Sequence, residues 1–566
     1  MPKIEVSEKS FFHFLGRKLR DAEMMDIFPV AKAELDGHED GVLKIELNDT
    51  NRPDLWSAAG CARQLKSYWG EGAMYDFFST EEEVVDNEGR EMVVEPSAAE
   101  TGRPFSIGFA AKGHAVTEED LVSLIQSQEK LCEGYGRKRK AVAVGIYRQN
   151  LIHFPVHYRG ADPDGTSFVP LGLDEKLTLR QILEKHPKGK EYGAIVADKP
   201  KFPYLVDDKG DTLSFPPVIN SAASGAVQVG DDELFVEMSG PALKPVLLVA
   251  AILACDMADM GFTIQPVKVR FPEPTEFGSE ITVPFYFQQP VTCPLGLVEK
   301  TLGEKLSADD CIASLKRMGI YAIADEENLY VTVPEYRNDF LHPVDVVEDV
   351  MIGHGLGNFV PESPHDFTIG RLSPAEEFGR KAKLVLVGMG FQEMMYNYLG
   401  SKREYIDNMH VDGKDCVFIA NPMSENYEVV RPSIIPSLME SESVSGHAAI
   451  PHKIFEVGKV CYKDPSDNSG TTTRNHLGFS VTDNAVGYNE VSSIVYTLMF
   501  FLKKEYTLGE VAEDPRFIPG RCAYILVGGK AVGIFGEIHP QVLESWGVGY
   551  PTVACEIDLD LLRQTN

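Results

Sequence analysis

Residues 334–355 read PEYRNDFLHPVDVVEDVMIGHG, and the reading of the whole chain turns on them. The stretch carries Asp339, then Asp345, Glu348 and Asp349, interleaved with Val344, Val346, Val347, Val350, Met351 and Ile352. Pro343 suits the first position of a helix, because its ring fixes φ and its missing N–H would be unpaired there in any case. A helix opening at Pro343 places Asp345, Glu348 and Asp349 at i, i+3 and i+4, on one face. Asp339 falls in the turn leading in. Carboxylates this close repel one another unless something positive sits among them. A hard divalent cation takes oxygen ligands of this kind, Mg2+ typically with one or two carboxylates plus waters. Acids in a first helical turn also complement the helix dipole, by about 0.3–1 kcal/mol each. Spacing alone leaves both readings open.

The surrounding chain has 566 residues, enough for about four domains at roughly 150 residues each. Its 43% hydrophobic and 25% charged residues are ordinary for a soluble globular protein. The longest apolar run, residues 246–255, is about half a bilayer span and is followed at once by Asp256 and Asp259, so no membrane partner is expected. Nothing near Met1 has the basic-then-apolar form of a signal peptide. The nine cysteines are scattered without a CxxC, which reads as reduced thiols in a cytoplasmic protein and makes zinc a poor candidate. The net charge of −31 argues against a large nucleic-acid footprint on this chain alone. Arg137-Lys138-Arg139-Lys140 is the local exception, either a solvated face or a contact for phosphate.

Taken in order, residues 10–22 place Phe11, Phe12, Leu15 and Leu19 at helical spacing. Residues 43–47 alternate as a strand and run into a turn rich in Asn, Asp and Pro, where Asp54 is a candidate cap for a helix from Leu55. Arg52 has Asp49 and Asp54 as possible partners. Residues 78–270 alternate strands and helices, as a mixed α/β domain does. Within them residues 192–199 are strand-like, and residues 244–260 read as a mostly buried helix. Residues 271–275, rich in Pro and Glu, read as a linker or crossover. Ser307 with Asp310 is a capping-box start, and Gly319 a plausible stop. Beyond residue 365 come a helix at 372–389, several strands, a segment broken by two prolines at 428–439, and a hairpin around Gly528-Gly529, an α+β pattern.

KIELNDTNRPDLWSAAGCARQL (residues 44–65) resembles the amino-terminal signature of the phenylalanyl-tRNA synthetase β subunits, in their archaeal and eukaryotic form. The resemblance extends through P-x-x-R-x-D and D-x-x-E-D in the acidic stretch, then Asn421-Pro422-Met423-Ser424, VVRPSIIP (429–436), FEVGKV (455–460) and GEIHP (536–540). It implies a multidomain α+β and mixed α/β chain: a segment over residues 1–77, an editing-type domain over 78–270, a Mg2+-binding interface domain over 271–360, and a class II synthetase-like module over 361–566. It implies Mg2+ at Asp339, Asp345, Glu348 and Asp349, at the boundary with an α subunit, and an assembly of two α and two β chains acting on tRNA(Phe). The α subunit would bind ATP as substrate and join phenylalanine to the tRNA. No aminoacylating residue is expected on this chain, since FEVGK carries Lys459 and no arginine at the place where class II chemistry needs one for the α-phosphate.

The editing-type domain would hydrolyse mischarged Tyr-tRNA(Phe). A pocket shaped for Phe cannot strongly reject an analogue that adds one hydroxyl, so a second site built to bond that hydroxyl is needed. Asn220, Ser221, Asp231, Asp232 and Glu237 are the candidates, each equally a turn or solvated-face residue. The chain departs from the family pattern at Ser221-Ala222-Ala223-Ser224 and at Ser239-Gly240-Pro241, which leaves editing open. A stand-alone hydrolase of misacylated tRNA and a scaffold without editing are the alternative readings. The short form, with no OB-like insertion or terminal anticodon-binding appendage in view, suits the archaeal type.

Overall fold

A helix does open at Pro343: it runs over Pro343–His354 in the computed structural model, which describes residues 3–80 and 86–565. The chain divides into two units, Met1–Glu362 and Ser363–Asn566. Both mix helices with several sheets.

The first unit begins with a three-stranded antiparallel sheet, Lys3–Ser7, Val42–Leu47 and Ala33–Glu39 in spatial order. The helix expected over residues 10–22 is two helices, Glu8–Leu15 and Asp21–Ile27. Gly16, at φ 73°, ends the first in the left-handed conformation that costs a glycine little. Asp54 caps no helix. Ser57 takes that role, accepting from the N–H of Gly60 at the start of Ala58–Tyr68, while Asp54 pairs with Arg52.

A seven-stranded mixed sheet and a four-stranded antiparallel sheet follow. Glu91–Val94 lies parallel to both its neighbours in the first, and Glu233–Gly240 is a central strand of the second. Helix Leu243–Met260 packs on the smaller sheet and is buried almost all round, which is why its sequence shows a continuous apolar run rather than a stripe. Two local readings change. Residues 192–199 form no strand: Tyr192 ends helix Pro187–Tyr192, Gly193–Ile195 is a short 3-10 helix, and turns follow. Residues 271–275 are no linker but the end of strand Val267–Thr275, and Pro272 and Pro274 sit where its ladder to Gly278–Val283 is interrupted between Arg270 and Thr275, where no N–H is needed.

The acidic helix belongs to a small layer of three helices on a three-stranded sheet, Val291–Pro294, Asn328–Thr332 and Tyr321–Ala324. The capping box at Ser307 and Asp310 forms as read. Val346, Val347 and Val350 are fully buried against Leu315, Leu329 and Val331, so the apolar face of Pro343–His354 fixes the direction of its acidic face.

The second unit is built on a seven-stranded sheet, antiparallel except for the short edge strand Gln392–Glu393. One face is covered by helices Pro374–Gly388 and Tyr488–Phe501, the other by Ile435–Val444 and Pro540–Trp546. The hairpin turns at Gly528 and Gly529, both at positive φ, as a two-residue turn matched to strand twist requires.

Candidate functional site

The four acids of the opening stretch divide into an inner and an outer pair. Asp339 and Asp349 are buried against one guanidinium. Arg337, 1% exposed, donates from Nε and Nη2 to Asp339 (3.0 and 2.5 Å) and from Nη1 and Nη2 to Asp349 (3.0 and 2.8 Å). Burial opposes ionisation of Asp339, but Arg337 and then Arg52 outweigh it and hold its carboxyl well below the usual range. Arg52, also 1% exposed, forks onto Asp54 at 2.8 and 2.7 Å and lies 4.0 Å from Asp339. The outer pair reaches toward solvent. Asp345 closes the turn into the helix by accepting from the N–H groups of Leu341 and His342 at 2.7 and 2.6 Å. Glu348 pairs with the ammonium of Lys32 at 3.0 Å, and Lys32 also meets Asp49 at 2.6 Å.

The network therefore sets five carboxylates (Asp49, Asp54, Asp339, Glu348, Asp349) against three cations (Lys32, Arg52, Arg337), an excess of two negative charges. Oxygen donors and that excess suit one divalent cation. The fit is partial in this chain by itself, because the four acids do not bring three ligand atoms within reach of one ion. Among the described residues only His153, Asp207 and Asp211 do so. There, however, Asp207 is filled by the N–H groups of His153, Lys209 and Asp211, and the Lys209 ammonium sits 2.7 Å from His153. That trio reads as a closed turn.

Of the five candidates in the middle domain, Asn220 lines a cavity. A space of about 360 Å³ is lined by Asn220, Gln128, Arg139, Leu124, Ile146 and Val218, among others. Ser221 is buried and turns its hydroxyl to the N–H of Ala223. Asp231 pairs with Arg148 at 3.1 Å, and Asp232 is exposed. Glu237 lies 1% exposed in the middle of strand Glu233–Gly240, accepting from the Ser106 hydroxyl at 2.5 Å. Burial pushes its carboxyl up to about 7, with Ser106 and Arg103 pulling the other way.

A carboxyl whose folded pKa is raised contributes stability that is complete below its unfolded value and is lost as pH rises through the folded one. Glu237→Gln is therefore expected to raise stability over wild type by about 2–3 kcal/mol at pH 8 but by no more than about 1 kcal/mol at pH 5. Urea midpoints at the two pH values check this, and an equal shift at both contradicts it.

In the second unit, the segment read as broken by prolines gives strand Val429–Val430 and then helix Ile435–Val444, with Arg431 between them. Arg431 is fully buried. Its two terminal nitrogens donate to Glu456 at 2.7 and 3.0 Å and its Nε to the carbonyl of Lys459 at 2.7 Å, with the plane over Tyr398. Beside it Glu556 accepts from the Ile434 N–H, from His476 Nδ1 and from the Ser433 hydroxyl. These side chains close on one another across the sheet.

Residues 361–559 match the family model described as the phenylalanyl tRNA synthetase beta chain CLM domain, and residues 291–356 match the tRNA synthetase B5 domain, which contains the acidic stretch. The chain is 45% identical over 570 residues to a phenylalanine–tRNA ligase beta subunit of Borreliella burgdorferi (strain ZS7), covering 100% of each chain. The chain belongs to the phenylalanine–tRNA ligase β-subunit family. It is 46% identical over 568 residues to the Borrelia garinii subsp. bavariensis protein of the same name, covering 99% of each. A crystal structure of an N-terminal fragment of the phenylalanyl-tRNA synthetase β subunit from Pyrococcus horikoshii is 33% identical and superimposes with a TM-score of 0.58, over 62% of this chain and 100% of that one. As a member of the family this β subunit is part of a heteromeric aminoacyl-tRNA ligase, an enzyme of protein biosynthesis. None of its described helices is long and apolar enough to cross a membrane.

Two parts of the site escaped the sequence reading. Lys32 gave no signal, because the acids beside it in the chain are Glu34 and Asp36, whereas its partners Asp49 and Glu348 reach it only in the fold. Arg103, buried behind Glu237, was equally silent.

Proposed function

We propose that this β subunit works as the non-aminoacylating half of an assembly of two α and two β chains that attaches phenylalanine to tRNA(Phe) in the cytoplasm. The observation that carries the reading is Arg431. A class II site needs an arginine free to hold a phosphate of ATP, and this one is buried with Nε and both terminal nitrogens already engaged. The module over residues 361–566 is then a scaffold, and ATP is bound by the α subunit. Residues 1–77 and 271–360 frame the interface, and the type is the archaeal and eukaryotic one, supported by the likeness to the Pyrococcus fragment although the full-length relatives are bacterial.

Asp345 and Glu348, with Asp339 and Asp349 behind them, would hold Mg2+, the remaining ligands coming from water and the α subunit. When bound, the ion supplies the positive charge that the network lacks and fixes the contact between subunits. Glu348→Ala is expected to weaken assembly with the α subunit about tenfold and to raise the Mg2+ concentration that assembly requires. Analytical ultracentrifugation across a Mg2+ titration reads both, and unchanged assembly with unchanged Mg2+ dependence contradicts the assignment.

Residues 78–270 form the editing domain, with Asn220 at the cavity and Glu237 buried behind it. Hydrolysis of Tyr-tRNA(Phe) by the wild-type complex, lost in Asn220→Ala, tests that part. A complex that aminoacylates but never deacylates Tyr-tRNA removes editing and leaves the scaffold.

A further inference from the structure

The basic run at residues 137–140 is not a loose charged loop. Arg137, Lys138 and Arg139 stand at φ 52°, 55° and 63°, three successive non-glycine residues in the left-handed region. L-residues visit that region singly and rarely, and such a run persists only where its surroundings over-determine it. Here they do. The N–H groups of Arg137, Lys138 and Arg139 return to the carbonyls of Gly134, Glu133 and Cys132. From below, Arg103, 2% exposed, donates through Nη1 to the carbonyls of Arg139 and Lys140 at 3.0 and 2.9 Å. From the side, the Arg139 guanidinium stacks 4.1 Å over Tyr192 and donates to the carbonyls of Pro217 and Val218.

The result is a rigid turn with Arg137, Lys138 and Lys140 exposed. Its third residue lines the same cavity as Asn220. The nearby acids are few: Glu133 takes the Tyr192 hydroxyl, and Glu191 is held by Lys188 at 3.0 Å. In a chain of net charge −31, strain is spent on presenting three cations beside a cavity of about 360 Å³. Fixed cations bind a phosphodiester backbone, and a half-apolar cavity with a few polar groups accepts the residue at its end.

We propose that residues 137–140 are a phosphate-binding turn that holds the single-stranded 3′ end of an RNA whose terminal residue enters the Asn220 cavity. The inference rests on the tRNA reading above. Its test uses the full chain, an RNA hairpin with a four-nucleotide single-stranded 3′ end, and fluorescence anisotropy over a KCl series. The variant is Arg137→Asn, Lys138→Asn and Lys140→Gln, since asparagine tolerates the left-handed conformation and Arg139 stays in place. Three lost phosphate contacts at about 0.7 each reduce the slope of log K against log salt by roughly 2. The charge-keeping pair Arg137→Lys with Lys138→Arg retains the wild-type slope.

An unchanged slope in the neutral variant, or no binding by the wild type at low salt, overturns the proposal. A slope change in a protein that never hydrolyses Tyr-tRNA upholds the turn and removes editing. Hydrolysis with an unchanged slope removes the turn and keeps editing.

Discussion

Arg337→Met is expected to lower the opening free energy of helix Pro343–His354 by about 3–5 kcal/mol at pH 7. The magnitude follows from what the substitution leaves behind. Asp339 and Asp349 are both buried, and each has its two oxygens on the Arg337 fork. Removing one partner of a buried pair strands the other charge, which costs far more than the pair itself contributes. Arg52 cannot make up the loss, being committed to Asp54 and 4.0 Å from Asp339.

The effect carries a pH signature. In the wild type Asp339 has a depressed folded pKa, so its contribution is present above the unfolded value, near 4, and lost as pH falls through the folded one. In the variant the stranded carboxyl takes up a proton in mild acid, and the deficit relative to wild type shrinks. Native-state hydrogen exchange of the amides in Pro343–His354 at pH 5 and 7 reads this directly. Arg337→Lys keeps the charge but not the fork and should fall between the two. A loss under about 1 kcal/mol at pH 7 contradicts the pairing.

Arg431→Met should be as damaging within its own unit, by about 3–5 kcal/mol, because Glu456 is then left 2% exposed with no cation. Strand His452–Lys463 loses its anchor at both Glu456 and the Lys459 carbonyl. The double variant Arg431→Met with Glu456→Gln should recover most of that loss, since a buried pair replaced on both sides is often close to neutral. The functional corollary separates a structural arginine from a phosphate-binding one. The isolated chain should show no ATP binding either as wild type or as Arg431→Met. ATP binding by the wild type that Arg431→Met weakens without a fall in stability would assign Arg431 to a nucleotide site.

Local rules account for what the sequence disclosed. Pro343 starts its helix, Ser307 and Asp310 form their box, and Gly528-Gly529 turn their hairpin because each depends on residues a few positions apart. The break at Gly16 is also local, a glycine at positive φ within an otherwise helical spacing, whereas the strand through residues 271–275 depends on pairing that outweighs the local pattern of Pro and Glu.

The site was legible in kind but not in wiring. That a positive group must sit among four carboxylates was clear from their spacing. That Arg337 serves two of them and Lys32 a third was not, since Lys32 comes from the far end of the first unit's sequence and meets Glu348 only in the fold. Arg52 was expected to choose between Asp49 and Asp54. It takes Asp54, and Lys32 takes Asp49.

The central claim, that this chain supports aminoacylation without performing it, is tested most directly by phenylalanine-dependent ATP–pyrophosphate exchange. The assay is run on the purified chain, on its α partner, and on the two combined with Mg2+. Exchange by the combined chains and none by this chain alone is the predicted result. Exchange by this chain alone would contradict the account, because it would require a free phosphate-binding arginine on the sheet where Arg431 is closed onto Glu456.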